Sequence, residues 1–185
     1  MSNQWQFDMQ HSGVSFTVRH MLVSKVRGRF TRWSGALQFL PDNPSLSSVE
    51  VSIETASVDT HEAQRDGHLR SGDFFDVEKF PAITFKSTRV ERRGDGEFLV
   101  TGDLTIRGVS RPVLLEVEYG GAMRDPWGNE RAGFTAKTTI DRKEFGISFN
   151  QVLDHGGLAL GEKVSIDIDI EATRASAQPA VSAAT

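Results

Sequence analysis

Cysteine is absent from this chain of 185 residues. Its absence excludes disulfide bonds, thiolate nucleophiles and metal sites built on cysteine. Long apolar runs are absent too, and no stretch approaches the roughly 18 consecutive apolar residues that a membrane-spanning helix needs. Lysine and arginine form no long run, and the formal net charge is −4. This charge pattern argues against nucleic acid as a partner.

The N-terminal segment MSNQWQFDMQHSG lacks the basic and apolar regions of a secretory signal. We therefore expect a cytoplasmic protein, or a periplasmic one if this terminus results from processing or recloning. Residues 175–185 are small and polar with one proline, and we expect a disordered tail there. Residues 1–174 have the length of a single domain.

Apolar and polar residues alternate over most of the chain. In the segment VSIDIDIE at 164–171, the valine and three isoleucines share one face, and the serine, two aspartates and glutamate share the other. Alternation of this kind gives one dry face and one wet face, which is typical of antiparallel sheets. Similar runs, separated by turns rich in glycine, proline and aspartate, predict eight strands.

Two segments depart from this alternation. The apolar residues change phase between Phe30 and Trp33, with a glycine on either side, which predicts a bulge or bend of the kind that curls a sheet closed. Residues 59–62, DTHE, match a capping box and predict one short helix ending near Leu69. The sequence therefore predicts an all-β fold, an extended eight-stranded antiparallel barrel with one short helix near its mouth.

A barrel of eight strands is either filled by its own side chains or able to hold one small ligand. The predicted inward faces are apolar along long strands, and a tall apolar tube suits a long, thin hydrophobic molecule. Each buried CH₂ contributes about 0.8 kcal/mol, so a chain of roughly ten to twenty carbons could bind with micromolar or tighter affinity. A filled barrel without a cavity stays the alternative.

Four segments carry a family resemblance. They are HSGVSFTVRHMLVSKVRGRF at 11–30, FFDVEKFPAITF at 74–85, GDLTIRGVSRPV at 102–113, and DRKEFGI at 141–147 followed by LGEKVSIDIDIE at 160–171. In this order and at these spacings they resemble the YceI-like family of lipocalin-type polyisoprenoid-binding proteins. The resemblance extends over roughly residues 7–172, nearly the whole chain outside the tail.

The resemblance implies a lipocalin-like barrel around an isoprenoid-type lipid, a prenyl quinone or a related long-chain amphiphile. This ligand would be held without a covalent bond, and no other cofactor is implied. The resemblance also implies a homodimer, and peripheral contact with a membrane stays open. The family has no agreed catalytic motif to transfer, so we expect a protein that transports or stores a lipid and is not an enzyme.

We predict ligand contacts at residues that the alternation turns inward and at polar residues near the mouth. They are Phe16, Val18, His20, Phe30, His68, Phe75, Phe85, Leu104, Phe134, Arg142 and Ile166. Phe74, Phe75 and Phe80 are expected to anchor the helix over one end of the barrel.

Several polar residues carry two interpretations. His20 either bonds a ligand head group or is satisfied by a backbone carbonyl. His61 and His68, with Arg65 between them, form either a polar rim around the ligand or a solvated helix face. Arg142 either binds an anionic head group or pairs with nearby acids to fix the corner after the seventh strand, and the second role is favoured.

A metal site is not expected. The histidines lack the HExxH spacing and the paired spacing of zinc ligands; they are His11, His20, His61, His68 and His155. Two other functions stay open beside lipid binding. One is an enzyme acting on a lipophilic substrate with His20 or His68 as base, and the other is a structural or stress-response protein that acts through its surface.

Overall fold

The structure is a computed structural model that describes residues 3–154 and 156–175. The described residues form eleven strands, one α-helix and three short 3-10 turns. The strands are β1 (Gln4–Phe7), β2 (Gly13–His20), β3 (Ser24–Phe30), β4 (Trp33–Gln38), β5 (Ser48–Glu54), β6 (Val58–Asp59), β7 (Ala82–Arg92), β8 (Glu97–Ile106), β9 (Val109–Arg124), β10 (Glu130–Asp141) and β11 (Leu160–Arg174), and the helix is α1 (Ala63–Arg70).

All eleven strands belong to one antiparallel sheet that closes on itself, because β1 pairs with both β4 and β11. β1 and β2 are two parts of one long strand beside β11. β3 and β4 form the second barrel strand, and β5 and β6 form the third. Counted in this way, the sheet is the eight-stranded antiparallel barrel that the sequence predicts.

The barrel has two distinct ends, and a separate hydrophobic cluster packs inside each. The helix end carries α1, the β2–β3 turn and residues 142–159 between β10 and β11. Its cluster includes Phe30, Trp33 and Phe74. The far end carries β1 and the β7–β8 and β9–β10 turns, and its cluster includes Trp5 and Phe39.

The predicted phase change in the second barrel strand is confirmed as a break. β3 ends at Phe30 and β4 begins at Trp33, and both side chains are buried. Thr31 N donates to Ser57 O at 3.1 Å and Ser57 Oγ donates to Arg32 O at 3.2 Å. The break between β3 and β4 therefore lies beside the break between β5 and β6. The second and third barrel strands bend at the same level.

The predicted start of the helix is wrong. α1 begins at Ala63, and its N-cap is Glu62, whose carboxylate accepts hydrogen bonds from Gln64 N and Arg65 N. The carboxylate of Asp59 instead accepts from His61 N at 2.9 Å, so no capping box forms over residues 59–62. His61 consequently lies before the helix, with a positive φ of 62°.

The described helical residues include no segment with both the length and the apolar character needed to cross a bilayer. Residues 176–185 and His155 lie outside the described residues. The predicted disordered tail and the domain boundary before it therefore stay predictions.

Candidate functional site

The barrel encloses a cavity of about 460 Å³. Residues from both hydrophobic clusters line it, so the cavity extends from the helix end towards the far end. Along β11 its lining residues run from Leu160 to Ile170, which is roughly 33 Å of strand at about 3.3 Å per residue. Pockets for small molecules typically occupy about 300–1,000 Å³. The structure is therefore a hollow barrel and not a filled one.

Aromatic side chains lie flat against the cavity wall where a neighbouring strand carries glycine. The ring of Phe16 covers Gly28, and a Cβ at Gly28 would lie 2.3 Å from the ring Cζ. The ring of Phe85 covers Gly102, where a Cβ would lie 2.4 Å from the ring Cζ and 2.6 Å from the carbonyl oxygen of Lys86. Side chains at these two glycines would push the rings into the cavity, so the glycines keep it wide.

Aromatic rings close the far end of the cavity. The buried ring of Phe39 lies 5.8 Å from Phe98, 4.9 Å from Tyr119 and 5.0 Å from Phe134, measured between ring centroids. Tilted and edge-on contacts at these distances are favourable between aromatic rings. Since Phe39, Phe98 and Phe134 also line the cavity, they form an apolar floor.

Polar residues concentrate at the helix end. The polar lining residues at this end are His20, Arg65, His68, Arg142, Asn150 and Gln151. None of the lining residues in the described ranges is aspartate or glutamate. The cavity is thus an apolar tube with hydrogen-bond donors and two guanidinium groups at one end.

The two predicted histidines differ in their surroundings. The Nε2 of His68 lies 2.8 Å from Asp73 Oδ2, and the ring packs edge-on against Phe74 and Phe149. The ring of His20 forms no hydrogen bond within the part of the chain that the structure describes. It lines the cavity without the backbone carbonyl partner of the alternative interpretation.

The proposed rim of His61, Arg65 and His68 forms only in part. Arg65 and His68 line the cavity, whereas His61 is exposed and does not. Arg65 is held by Thr60, to whose hydroxyl its Nε donates at 2.8 Å and to whose carbonyl its Nη2 donates at 2.9 Å. Thr60 in turn donates to the buried carboxylate of Asp66 at 2.6 Å. The guanidinium therefore has a fixed position at the mouth.

Arg142 fixes the corner after β10, as favoured, but backbone carbonyls and not acids are its partners. Its Nε donates to Gly161 O at 2.9 Å, and its Nη1 donates to Ile147 O at 2.8 Å and Phe149 O at 2.9 Å. The side chain is buried, and this burial lowers the pKa of the guanidinium. Asn150 completes the corner, since its side chain accepts from Leu160 N and donates to Leu160 O.

All eleven residues predicted as ligand contacts line this one cavity. That they bind a ligand stays a prediction. Phe74 and Phe75 do anchor the helix end, where Phe75 packs 5.7 Å from the ring of Phe30. Sequence reasoning missed Asn150 and Gln151, which lie in an irregular loop where no periodicity marks an inward face.

One side-chain cluster in the described residues has the composition of a metal site. Asp8, His11 and Glu171 bring their ligand atoms within 4.8 Å of one another. However, Nη1 of Arg131 lies 2.8 Å from Asp8 Oδ2 and 2.5 Å from Glu171 Oε1. A guanidinium of the chain itself is therefore already paired with both carboxylates of this cluster.

Most of this chain matches the model of a known protein family. The model of the YceI-like domain matches residues 5–172 of this chain. This chain belongs to the YceI-like family. The sequence resemblance is thereby confirmed over nearly the range that the four segments span.

Among relatives of this YceI-like chain, a UPF0312 protein of Vibrio cholerae is 43% identical over 137 residues, covering 74% of this chain and 72% of the relative. A UPF0312 protein of Shewanella sp. (strain ANA-3) is 40% identical over 164 residues, covering 89% of this chain and 83% of the relative.

Solved structures show the same YceI-like architecture. Burkholderia cenocepacia BcnA superposes with a TM-score of 0.77 at 24% identity, covering 89% of this chain and 98% of that chain. A Campylobacter jejuni YCEI protein gives 0.72 at 30% identity, with coverages of 85% and 90%. A polyisoprenoid binding domain from Saccharophagus degradans, implicated in plant cell wall breakdown, gives 0.67 at 15% identity, with coverages of 95% and 100%. At 24% and 15% identity the first and third show the fold alone.

Proposed function

We propose that this protein binds one long-chain amphiphilic lipid inside the barrel and transports or stores it without covalent chemistry. The observation that carries the proposal is the shape and polarity of the cavity, an apolar tube of about 460 Å³ whose charged residues and most of whose polar residues lie at one end. A tube of this kind matches a molecule with a long apolar tail and a small head group.

The polarity of the lining also orients the proposed ligand. The tail would lie towards the floor formed by Phe39, and the head group would lie near His20, Arg65 and His68. Arg65 supplies a fixed positive charge, and none of the described lining residues is acidic. We therefore expect a head group that accepts hydrogen bonds, such as a quinone carbonyl, a carboxylate or a phosphate.

The isoprenoid class of ligand is the more specific part of the proposal. Membership of the YceI-like family and the shared fold with a polyisoprenoid binding domain support it. A branched isoprenoid chain also suits a wall that mixes aromatic rings with valine and isoleucine. Burying about ten CH₂ groups contributes roughly 8 kcal/mol before association costs, so the tail alone could hold the ligand.

The test begins with the protein purified without detergent and measured by native and then denaturing mass spectrometry. We expect a mass excess that disappears on denaturation, and a lipid in the organic extract at about one molecule per chain. Ala136 lines the cavity, whereas Thr139 on the same strand is exposed. Ala136→Phe should abolish the excess and Thr139→Phe should retain it. A native mass equal to that of the bare chain, or equal lipid content in the two variants, would contradict the proposal.

One pair of residues supports the second candidate, an enzyme acting on a lipophilic substrate. The His68–Asp73 pair at the cavity mouth could serve as a general base with its orienting carboxylate. Turnover of an extracted lipid that is lost in both His68→Ala and Asp73→Asn would support this candidate. Lipid that is recovered unchanged after incubation would contradict the enzyme candidate and leave lipid binding as the proposed function.

The homodimer and the compartment, cytoplasmic or periplasmic, stay predictions. Light scattering of the purified protein tests the first. Fractionation of cells that express the natural gene tests the second.

A further inference from the structure

The turn between β2 and β3 presents apolar side chains to solvent. Leu22 is 81% exposed, Val23 is 90% exposed, and Met21 is exposed as well. Met21 and Leu22 adopt positive φ angles of 51° and 59°. Turn positions of this kind normally hold glycine or asparagine, because a bulky side chain is strained there. The fold gains little packing from these three residues, here called the apolar tip.

The two strands below the apolar tip form a basic outer face. Arg19 lies directly opposite Lys25 across the β2–β3 pair, and Arg27 follows two residues later on the same face. Like charges in opposite positions destabilise a sheet. No carboxylate of the described residues forms an ion pair with these three, whereas the next base, Arg29, pairs with Asp59 at 3.0 Å. Three unpaired cations thus lie close behind the apolar tip.

The apolar tip lies at the mouth of the cavity. Met21 N donates to Ala159 O at 2.7 Å, and both Ala159 and the adjacent His20 line the cavity. Val152 and Leu158, on the neighbouring loop, form a bridge with each other and are also exposed. Apolar surface therefore continues from the tip around the helix end of the barrel.

We propose that the apolar tip docks the helix end onto an anionic lipid bilayer. The three apolar side chains enter the interface between head groups and acyl chains, which accommodates about 5–10 Å of an amphipathic segment. Arg27 lies two residues, roughly 7 Å, behind the level of Lys25, so the bases fall within the layer of lipid phosphates. Charge complementarity selects an anionic membrane over a second copy of the chain, whose basic faces would repel each other.

Docking in this orientation brings the cavity mouth to the membrane surface. The inference rests on the proposed function for its purpose, since a lipid could then pass between bilayer and barrel without crossing water. The binding surface itself is independent of cavity occupancy, because the tip and bases lie outside the barrel.

Co-sedimentation with vesicles tests the inference on the full chain. The probes are vesicles of phosphatidylcholine alone and of phosphatidylcholine with about one-third phosphatidylglycerol. We expect binding to the mixed vesicles only. Leu22→Ser with Val23→Ser should abolish it, and Arg19→Gln with Lys25→Gln should weaken it about 25-fold, at roughly fivefold per base.

Trp127 supplies the matched control. It is 80% exposed on the β9–β10 turn at the far end, and Trp127→Ser removes an exposed apolar side chain at a turn without touching the apolar tip. This variant should bind like the wild type, and all variants should keep the same melting temperature. Equal loss in Trp127→Ser, or no binding of the wild type, would overturn the inference.

Two further outcomes distinguish membrane docking from dimerisation and from lipid carriage. If Leu22→Ser with Val23→Ser converts a dimer into a monomer and leaves vesicle binding unchanged, a second copy covers the tip and the inference is wrong. If vesicle binding holds while the purified protein contains no lipid, docking stands and the carrier function fails. If the purified protein contains lipid but the wild type does not bind vesicles, the docking inference fails and the carrier function stands.

Discussion

Gly28 faces the ring of Phe16 across the β2–β3 pair, and the three atoms nearest to a Cβ at this position all belong to that ring. Nothing in the backbone conformation of Gly28 excludes alanine, since its φ is not positive. Addition of a methyl group would therefore act through the ring alone. The ring would have to turn away from the wall, and the space available to it is the cavity.

We expect Gly28→Ala to weaken lipid binding about tenfold, because overpacking by one methyl group costs about 1–3 kcal/mol. Phe16→Leu in the same chain should restore binding, since a smaller side chain leaves room for the methyl group. Lipid content per chain in the organic extract measures both effects. Lipid content unaffected by Gly28→Ala would show that Phe16 lies outside the path of the ligand.

Gly67 supplies the control for this prediction. It lies inside α1, and a Cβ there would have no atom within 4 Å. Gly67→Ala should leave lipid binding unchanged and stabilise the protein by up to about 1 kcal/mol, since alanine favours helix more than glycine does.

The first barrel strand is interrupted by residues 8–12, and a network of charges holds the interruption. Arg131 Nε lies 2.9 Å from Asp125 Oδ2, and its Nη1 contacts Asp8 and Glu171. The hydrogen bond from Arg131 is the main cause that lowers the pKa of Asp125 to about 2. Hydrogen bonds from His11 and, as the second largest cause, from Arg131 hold the pKa of Asp8 well below its usual range. One guanidinium thus ties β10 and β11 to the break between β1 and β2.

Acid should remove the stability that this network contributes, because folding depresses the pKa values of its carboxyl groups. A carboxyl whose pKa is depressed by folding contributes stability above its unfolded pKa, near 3.9, and loses it as the pH falls towards its folded value. We therefore expect the melting temperature to drop between about pH 4 and pH 2. Asp125→Asn should lower the melting temperature at pH 7 and show a smaller further drop in acid, as measured by thermal unfolding at each pH.

The surface pair Arg89–Glu91 provides the comparison, because both side chains are largely exposed. Exposed pairs contribute about 0–1 kcal/mol, so Glu91→Gln should leave the melting temperature at pH 7 nearly unchanged. If Asp125→Asn behaves like Glu91→Gln, the network does not stabilise the interrupted strand.

Strands of this protein are easier to predict than their ends. Alternation over eight or more residues is a repeated signal, and it identifies β8, β9 and β11 directly. The alternation does not predict β1, because Gln4–Phe7 contains only two apolar side chains, although Trp5 is buried. The capping-box pattern over residues 59–62 places the helix start too early. The carboxylate of Asp59 accepts a hydrogen bond from His61 N before the helix, and the side chain of Glu62 forms the N-cap.

The cavity can be predicted residue by residue for a related reason. Inward-facing positions of a barrel follow from alternation, so residues such as Phe16, Leu104 and Ile166 are identifiable from the sequence. The partners of Arg142 are not, because they are carbonyls from residues 147–161 that only the folded corner brings together. Hydrogen bonds to irregular backbone leave no periodic trace in a sequence.

For the whole molecule, a hollow barrel implies that stability and occupancy are linked. A ligand that binds only the folded state stabilises it by about 2.7 kcal/mol when its free concentration is 100 times Kd. In a domain of this length, 1 kcal/mol shifts the melting temperature by roughly 2–4 °C.

We therefore expect protein stripped of lipid by organic extraction and refolded to melt about 5–10 °C below the same protein reloaded with its extracted lipid. Ala136→Phe, in which the added ring occupies the cavity, should show no such difference, whereas Thr139→Phe should show it in full. Equal melting temperatures for stripped and reloaded wild type would mean that the lipid does not bind the folded barrel in preference to the unfolded chain, and the proposed lipid-binding function would fail.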